Sequence, residues 1–400
     1  MALRSANTRL RAISVHMASS SQIPVYLVGP GLVGTQVLEQ LSLPHISKQL
    51  RVDIVSNSKW QLHFESETAD RSEIQNLITL LPASSAASAK PVPEGFKVTN
   101  LQLEDFVKSL AEKHPGSPKV FIDCTSSQAV ADLYPTLLKS GISVVTPNKK
   151  AFSASQSLFS AIQEAKSKKA LVYQESTVGA GLPIISTLND LVATGDKVVK
   201  IEGVLSGTLS YIFNEFSKPL KGAKAPTFSS VVSVAKEQGY TEPHPADDLS
   251  GSDVARKLCI LSRLVPGMAS LEKGYESVPT ETLIPEELSN IATGEEFVKR
   301  LPEFDSHYEK MRKEAEDAGQ VLRYVGVIDA KSGKVKCGLE RYPFSHPFAS
   351  SLGGSDNIIS FTTSRYAKRP LIVQGAGAGA EVTAMGVVAD CLRVAERLGN

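Results

Sequence analysis

The sequence predicts an α/β fold, a Rossmann-type dinucleotide-binding domain joined to a second, mixed α+β domain. Three observations carry this. First, the apolar run Ile23-Pro24-Val25-Tyr26-Leu27-Val28 leads into the turn Gly29-Pro30-Gly31-Leu32-Val33-Gly34, and Val37, Leu38 and Leu41 follow at helical spacing. Strand, glycine turn and helix in that order are what a dinucleotide fold requires. Second, strand-like runs at 52–55, 120–122, 142–145 and 171–173 are separated by helical stretches such as Val130, Leu133, Leu137 and Leu138, which stop at Gly141. Alternation of this kind predicts a parallel sheet with helices on both faces. Third, the pattern changes after Gly179, to β runs at 198–205, 321–328, 335–341, 358–363 and 371–374, with helices at 208–217, 229–238 and 252–264 between the earlier ones.

The expected organisation is a tail over 1–21, a dinucleotide-binding domain over 22–175, a second domain over 176–375, and a segment over 376–400 that turns helical and returns to the first domain. Residues 82–95, rich in Ser, Ala and Pro, read as a surface loop. The tail carries Arg4, Arg9 and Arg11, and the first acid in the chain is Glu39. A cytoplasmic protein is expected, with a mitochondrial presequence as the alternative. A short basic tail ahead of a start at Met17 would give the same composition.

Composition excludes several classes. Lys and Arg total 43 against 42 Asp and Glu, so there is no electrostatic footprint for nucleic acid. Cys124, Cys259, Cys337 and Cys391 are far apart and lack zinc or CxxC spacing, which fits a reducing compartment. No apolar run approaches the roughly 20 residues of a membrane span.

In the glycine turn, Gly29 allows the tight bend, Gly31 lets backbone approach a pyrophosphate, and Gly34 permits close helix packing. The amides of Leu32, Val33 and Gly34 open the helix and can face phosphate. Cofactor choice is open between NADP and NAD. The second strand ends in Ser56-Asn57-Ser58-Lys59 rather than an acid; Asp53 lies inside the strand, and Lys59 can accept a 2′-phosphate or be an ordinary surface lysine. Thr125-Ser126 and Asn148-Lys149 stand at the carboxyl ends of two later strands, where ligands bind in such sheets.

The stretch 239–259 holds Glu242, Asp247 and Asp248 in a proline-stiffened loop, followed by a helix from Ser252 that carries Asp253 and Lys257. The last two are four residues apart on one side, and Lys257 borders the stripe Val254, Leu258 and Leu261 while Arg256 points away. A lysine at that margin is partly desolvated, which lowers its pKa, whereas neighbouring acids raise it. The plainer reading is a helix-surface ion pair. His244, between prolines, reads as a loop residue rather than a base.

The segments TPNKKAFS (146–153), ESTVGAGLPI (175–184), LSGTLSYIFNEF (205–216), GYTEPHPADDLSGSDVARK (239–257) and QGAGAGAEVTA (374–384) resemble homoserine dehydrogenase. They occur in order from the glycine turn to the C-terminus and are similar to the short fungal form, without a fused aspartate kinase or regulatory C-terminal domain. The resemblance implies NAD(P)-dependent interconversion of L-homoserine and L-aspartate 4-semialdehyde in threonine, methionine and isoleucine synthesis. It implies Lys257 as catalytic acid/base, Lys149 as a second active-site lysine, and Glu242, Asp247, Asp248 and Asp253 around the amino-acid substrate. Cofactor contacts are implied at Thr125, Ser126, Lys149, Gly377 and Gly379. A monovalent cation, sodium or potassium, is implied at Glu175, Val178, Ala180 and Leu182, largely through backbone carbonyls. A homodimer formed through the second domain is implied as well. Departures are His244, where close relatives carry an acid, and Pro30 in place of alanine. Two rival readings are a semialdehyde enzyme with Cys124 as nucleophile and a dinucleotide sensor without turnover.

Overall fold

The structure is a computed structural model that describes residues 22–58, 60–64, 71–80, 96–99, 103–113, 116–219 and 225–399. The tail 1–21, the loop 82–95 and Lys59 lie outside these residues. Two compact units emerge. One comprises the described part of Met1–Asn148 with Ile162–Gln174 and Val387–Asn400; the other comprises Lys149–Ala161 and Glu175–Gly386.

The first unit is built on a seven-stranded sheet in the order β4-β3-β2-β1-β5-β6-β7. Its strands are β1 (Ile23–Val28), β2 (Leu50–Ser56), β3 (Gln61–Phe64), β4 (Phe96–Thr99), β5 (Lys119–Asp123), β6 (Ile142–Val145) and β7 (Val172–Tyr173). From β2 through β1, β5 and β6 to β7 all neighbours are parallel. All six residues of β1 are buried, as expected for a central strand covered on both faces. The sheet departs from the all-parallel expectation at one edge, where β3 and β4 run antiparallel. The cause is local. The Asn57 amide donates to the Trp60 carbonyl at 3.0 Å, and the Asn57 side chain accepts from the Trp60 amide at 2.9 Å, so the chain reverses directly after β2. The helical stretch over 130–138 is two short helices, Gln128–Ala131 and Tyr134–Lys139, because Pro135 begins a new first turn.

The second unit carries a five-stranded antiparallel sheet in the order β10-β9-β8-β11-β12, with β8 at Val198–Val204, β9 at Gln320–Asp329, β10 at Lys334–Pro343, β11 at Asp356–Thr363 and β12 at Leu371–Ala376. The helix Ser252–Ser262 lies on this sheet, and a side chain at Gly326 of β9 would meet Leu258 at 2.8 Å. Lys149–Ala161 belongs to this unit, although the sequence suggests a boundary at 175, because Arg263 donates to the carbonyls of Phe152 and Ala154 at 2.7 and 2.8 Å. Residues 376–386 remain here too. The helix Ala380–Leu398 starts in this unit and enters the first at Val387.

Candidate active site

In the first unit the three turn glycines do different work. Gly29 has φ +87°, and an added Cβ would lie 2.7 Å from the Thr125 methyl and 2.9 Å from Cys124 backbone. At Gly34 it would lie 2.3 Å from the Gly29 carbonyl oxygen. Gly31 alone faces open space, with nothing within 4 Å. The helix Leu32–Leu41 begins there without a side-chain cap, Leu32 is 85 % exposed and Val33 is half-buried. The first-turn amides of Leu32, Val33 and Gly34 have no intrahelical acceptor, so the turn offers an open, electropositive backbone surface that fits a pyrophosphate.

Beneath this surface, Asp123 ties the ends of β5 and β6 together. It is fully buried and accepts from Tyr134 Oη at 2.6 Å, Asn148 Nδ2 at 2.9 Å and the Thr125 amide at 2.7 Å. Burial pushes its carboxyl up, and those hydrogen bonds pull in the opposite direction. Thr125 in turn accepts from the Ser127 amide at 3.0 Å, and Ser126 is exposed at the strand end. Asp53 is not presented at the end of β2. It is the extra residue of a bulge opposite β1 and pairs with Arg51 at 2.6 Å. Cys124 sits below the glycine turn, and burial, reinforced by the Asp123 charge, pushes its thiol far up. A neutral thiol is a poor nucleophile.

In the second unit, Asp253 bridges two lysines. One carboxylate oxygen lies 2.8 Å from Lys257 Nζ and the other 3.2 Å from Lys149 Nζ. Lys257 is only 6 % exposed and also donates to the Leu205 carbonyl at 2.6 Å. Its burial comes from its position on the helix Ser252–Ser262, flanked by Val254, Leu258 and Leu261, all buried. Arg256 leaves on another side and stacks 3.6 Å over the Tyr275 ring. Desolvation lowers the Lys257 amine, Asp253 opposes that, and Lys149 adds to it; the net direction is down. Partial desolvation raises the Asp253 carboxyl, but the two ammonium groups outweigh it and hold the acid well below the ordinary carboxylate range.

The other predicted acids lie nearby in sequence but are arranged differently from one another. Residues Pro245–Leu249 form a short helix rather than a loop, because Pro245 occupies its first turn and the His244 ring accepts from the Ala246 amide at 3.2 Å. The other ring nitrogen of His244 therefore carries the proton and donates to the Ile291 carbonyl at 3.0 Å, which makes this histidine a capping residue. Asp248 accepts from the Glu242 amide at 2.8 Å, and burial pushes its carboxyl up. Glu242 and Asp247 are exposed.

Sequence comparison bears on what these parts do. A profile described as "Homoserine dehydrogenase" matches residues 183–392, and one described as "Homoserine dehydrogenase, NAD binding domain" matches 29–174. Homoserine dehydrogenase of Emericella nidulans is 48 % identical over 94 % of this chain and 99 % of its own. The chain belongs to the homoserine dehydrogenase family. The enzyme of that name from Saccharomyces cerevisiae is 42 % identical, covering 95 % of this chain and all of its own length. A bifunctional aspartokinase/homoserine dehydrogenase of Zea mays is 44 % identical across this whole chain but is matched over 40 % of its own length. Among solved structures, a Candida auris protein described as of unknown function aligns at TM-score 0.80 and 42 % identity, covering 94 % of this chain and 99 % of its own. A hyperthermophilic archaeal homoserine dehydrogenase solved in complex with NADPH, at TM-score 0.67 and 20 % identity over 93 % of this chain and 97 % of its own, shares the fold. The chain is thus an oxidoreductase of the homoserine dehydrogenase family with a Rossmann-type NAD-binding domain, and the sensor and cysteine-enzyme readings fall away.

For a homoserine dehydrogenase, three features escape sequence reading. Asp123 is visible only as a strand-end acid in VFIDCTSS, and its buried network needs Tyr134 and Asn148 to arrive from elsewhere. The Leu205 carbonyl, a backbone atom, leaves no sequence signal. The third is the work of the Glu175 side chain. It is buried, and its carboxylate accepts from the amides of Ile185 at 2.7 Å and Ser186 at 3.0 Å, capping the helix Ile185–Ala193. Its side chain is therefore committed to a helix start. The backbone after it is unusual, since Gly179 and Ala180 both have positive φ, +77° and +55°, and Ala180 is the one non-glycine residue of that kind among the described residues. Backbone of this kind persists only where the surrounding structure fixes it. Val178 and Ala180 are buried and Leu182 is half-buried. Gly377 and Gly379 lie in the second unit; Gly379, at φ +122°, accepts from the Thr383 amide at the start of the last helix.

Proposed function

We propose that the chain interconverts L-homoserine and L-aspartate 4-semialdehyde with NADP or NAD, in the synthesis of threonine, methionine and isoleucine, and that Lys257 is its acid/base. The observation that carries this is the buried amine of Lys257 held by two partners that can only accept, Asp253 and the Leu205 carbonyl. An ammonium has three donors. Two are engaged, so the third points along the remaining tetrahedral direction. When the amine is neutral, its two hydrogens stay on those acceptors and its lone pair occupies that same direction. One vertex therefore donates a proton in one reaction direction and accepts it in the other.

When bound, the reduced dinucleotide supplies the hydride that C4 of the semialdehyde receives. As charge grows on the aldehyde oxygen, Lys257 stabilises it and gives up its proton. Burial lowers the proton affinity of the amine, which eases that transfer; Asp253 keeps the charged form accessible. Lys149, on the other oxygen of Asp253, holds that carboxylate in place. Glu242, Asp247 and Asp248 supply negative charge for the substrate's ammonium. The turn Gly29, Gly31, Leu32, Val33 and Gly34, together with Thr125 and Ser126, would hold the dinucleotide. Gly377, Gly379 and Lys149 are further contacts in this reading, and Lys59 is reserved for a 2′-phosphate. A sodium or potassium ion would sit on the carbonyls of Glu175, Val178, Ala180 and Leu182, a reading that the positive-φ pair supports. A homodimer through the antiparallel sheet is supported by the edge strand β12, whose Ile372 is 40 % exposed.

The test is homoserine-dependent reduction of NADP+ and NAD+. Wild-type protein turns over, and Lys257→Ala loses about 10²–10⁴-fold in kcat while dinucleotide affinity persists. Wild-type protein inert with homoserine would sink the substrate assignment, and an active K257A would sink the role of Lys257.

A further inference from the structure

The Leu205 carbonyl that receives a hydrogen bond from Lys257 receives a second one, from Asn357 Nδ2 at 3.1 Å. Asn357 begins the inner part of β11, pairs with Gly375 of β12, and is 1 % exposed. Its own Oδ1 is buried and has no hydrogen-bond partner among the described residues. A buried carboxamide with an unsatisfied oxygen is unfavourable, and a similar-sized apolar side chain would avoid that. The NH2 end therefore carries the reason for an asparagine at this place. The space it occupies is reserved, since an added Cβ at Gly377 would lie 2.0 Å from Asn357 Cγ and 2.1 Å from Nδ2. Gly377 has no positive φ that would itself call for glycine.

We propose that Asn357 is a positioning residue of the lysine centre: its amide fixes the Leu205 carbonyl, and that oxygen with Asp253 orients the amine of Lys257. Gly377 is the space that lets the amide reach. This rests on Lys257 being the acid/base. Without the amide the Leu205 oxygen has one donor and is free to rotate toward it. The amine then loses one of the two fixed directions that define its third vertex. Nothing touches substrate directly, so the effect falls on proton transfer rather than on binding.

Homoserine oxidation by the full chain is followed across pH for wild type, N357A, N357D, G377A and the N357A/G377A double variant, with KM, dinucleotide affinity and thermal melting measured alongside. N357A should lose about tenfold or more in kcat, as misplaced catalytic groups do, with KM and dinucleotide affinity within about threefold. N357D keeps the shape but sets an anionic acceptor against the Leu205 oxygen and near the amine, so the pH limb governed by Lys257 should move upward. G377A should mimic N357A, yet add less than about twofold when Asn357 is already alanine, because coupled residues are non-additive. A kcat for N357A within twofold of wild type, or an unmoved limb in N357D, would overturn the proposal. So would a G377A defect in kcat of equal size in both backgrounds, which uncouples Gly377 from Asn357. If N357A fails to fold, N357D and G377A decide the matter by the same criteria. Failure of the Lys257 reading is distinct, since K257A would then stay active whatever the Asn357 variants do.

Discussion

At the scale of single residues, the centre is an exercise in opposed shifts on one amine. Burial drives Lys257 toward the neutral form, and Asp253 pulls it back toward the charged one. Asp253→Asn removes the pull but keeps the shape. The lysine pKa should then fall further. Oxidation of homoserine needs the neutral amine, so its activity rises as pH climbs through that pKa, and in D253N this rise should begin at lower pH. Semialdehyde reduction, which needs the ammonium, should weaken across neutral pH. Paired pH–rate profiles in both directions check this, and a limb that stays put would mean Asp253 acts only sterically. The pairing of Asp253 and Lys257 is legible in the sequence, because a four-residue spacing on a helix places two side chains together. The second anchor is not, because it is a backbone oxygen 52 residues earlier in the chain.

At the scale of elements, caps and turns hold the site's backbone. Glu175 accepts from the first amides of the helix Ile185–Ala193, where a carboxylate also meets the positive end of the helix dipole. Glu175→Ala should destabilise the chain by about 1–2 kcal/mol, the range for losing a helix cap, and Glu175→Gln by less. Urea unfolding of both variants checks this; equal loss would show that the charge carries the whole effect, and no loss in Glu175→Gln that it contributes nothing. The glycine turn, the strands and most helices could be read from periodicity, since burial on one face repeats every two or 3.6 residues. Where reading failed, a local reversal had intervened: the Asn57–Trp60 turn that sends β3 back antiparallel, and Pro135, which splits one helical stretch into two. The short helix Pro245–Leu249 was hidden by the same residues that start it, a proline and a capping histidine that look like loop formers.

At the scale of the whole molecule, the second strand's end decides how the first unit treats its dinucleotide. Asp53 is committed to Arg51 within the strand, and Ser56 and Asn57 are tied to the glycine turn and to Trp60. Without an acid at that end to hold ribose hydroxyls, NADP+ should serve at least as well as NAD+. Asp53→Ala should change the ratio of kcat/KM for the two cofactors by less than about twofold, well short of the effect of losing a true ribose ligand. A larger change would return Asp53 to the cofactor. By itself, the sequence determined the alternation of strands and helices, the glycine turn and the clustering of acids with Lys257 on one stretch, because each is a short-range pattern of side-chain period or spacing. Only tertiary structure decided that the amine also meets the Leu205 carbonyl, that Lys149 shares the Asp253 carboxylate, and that Asn357 and Gly377 stand behind that carbonyl. Those facts depend on strands far apart in sequence meeting in one sheet, and on backbone atoms whose positions no residue identity records.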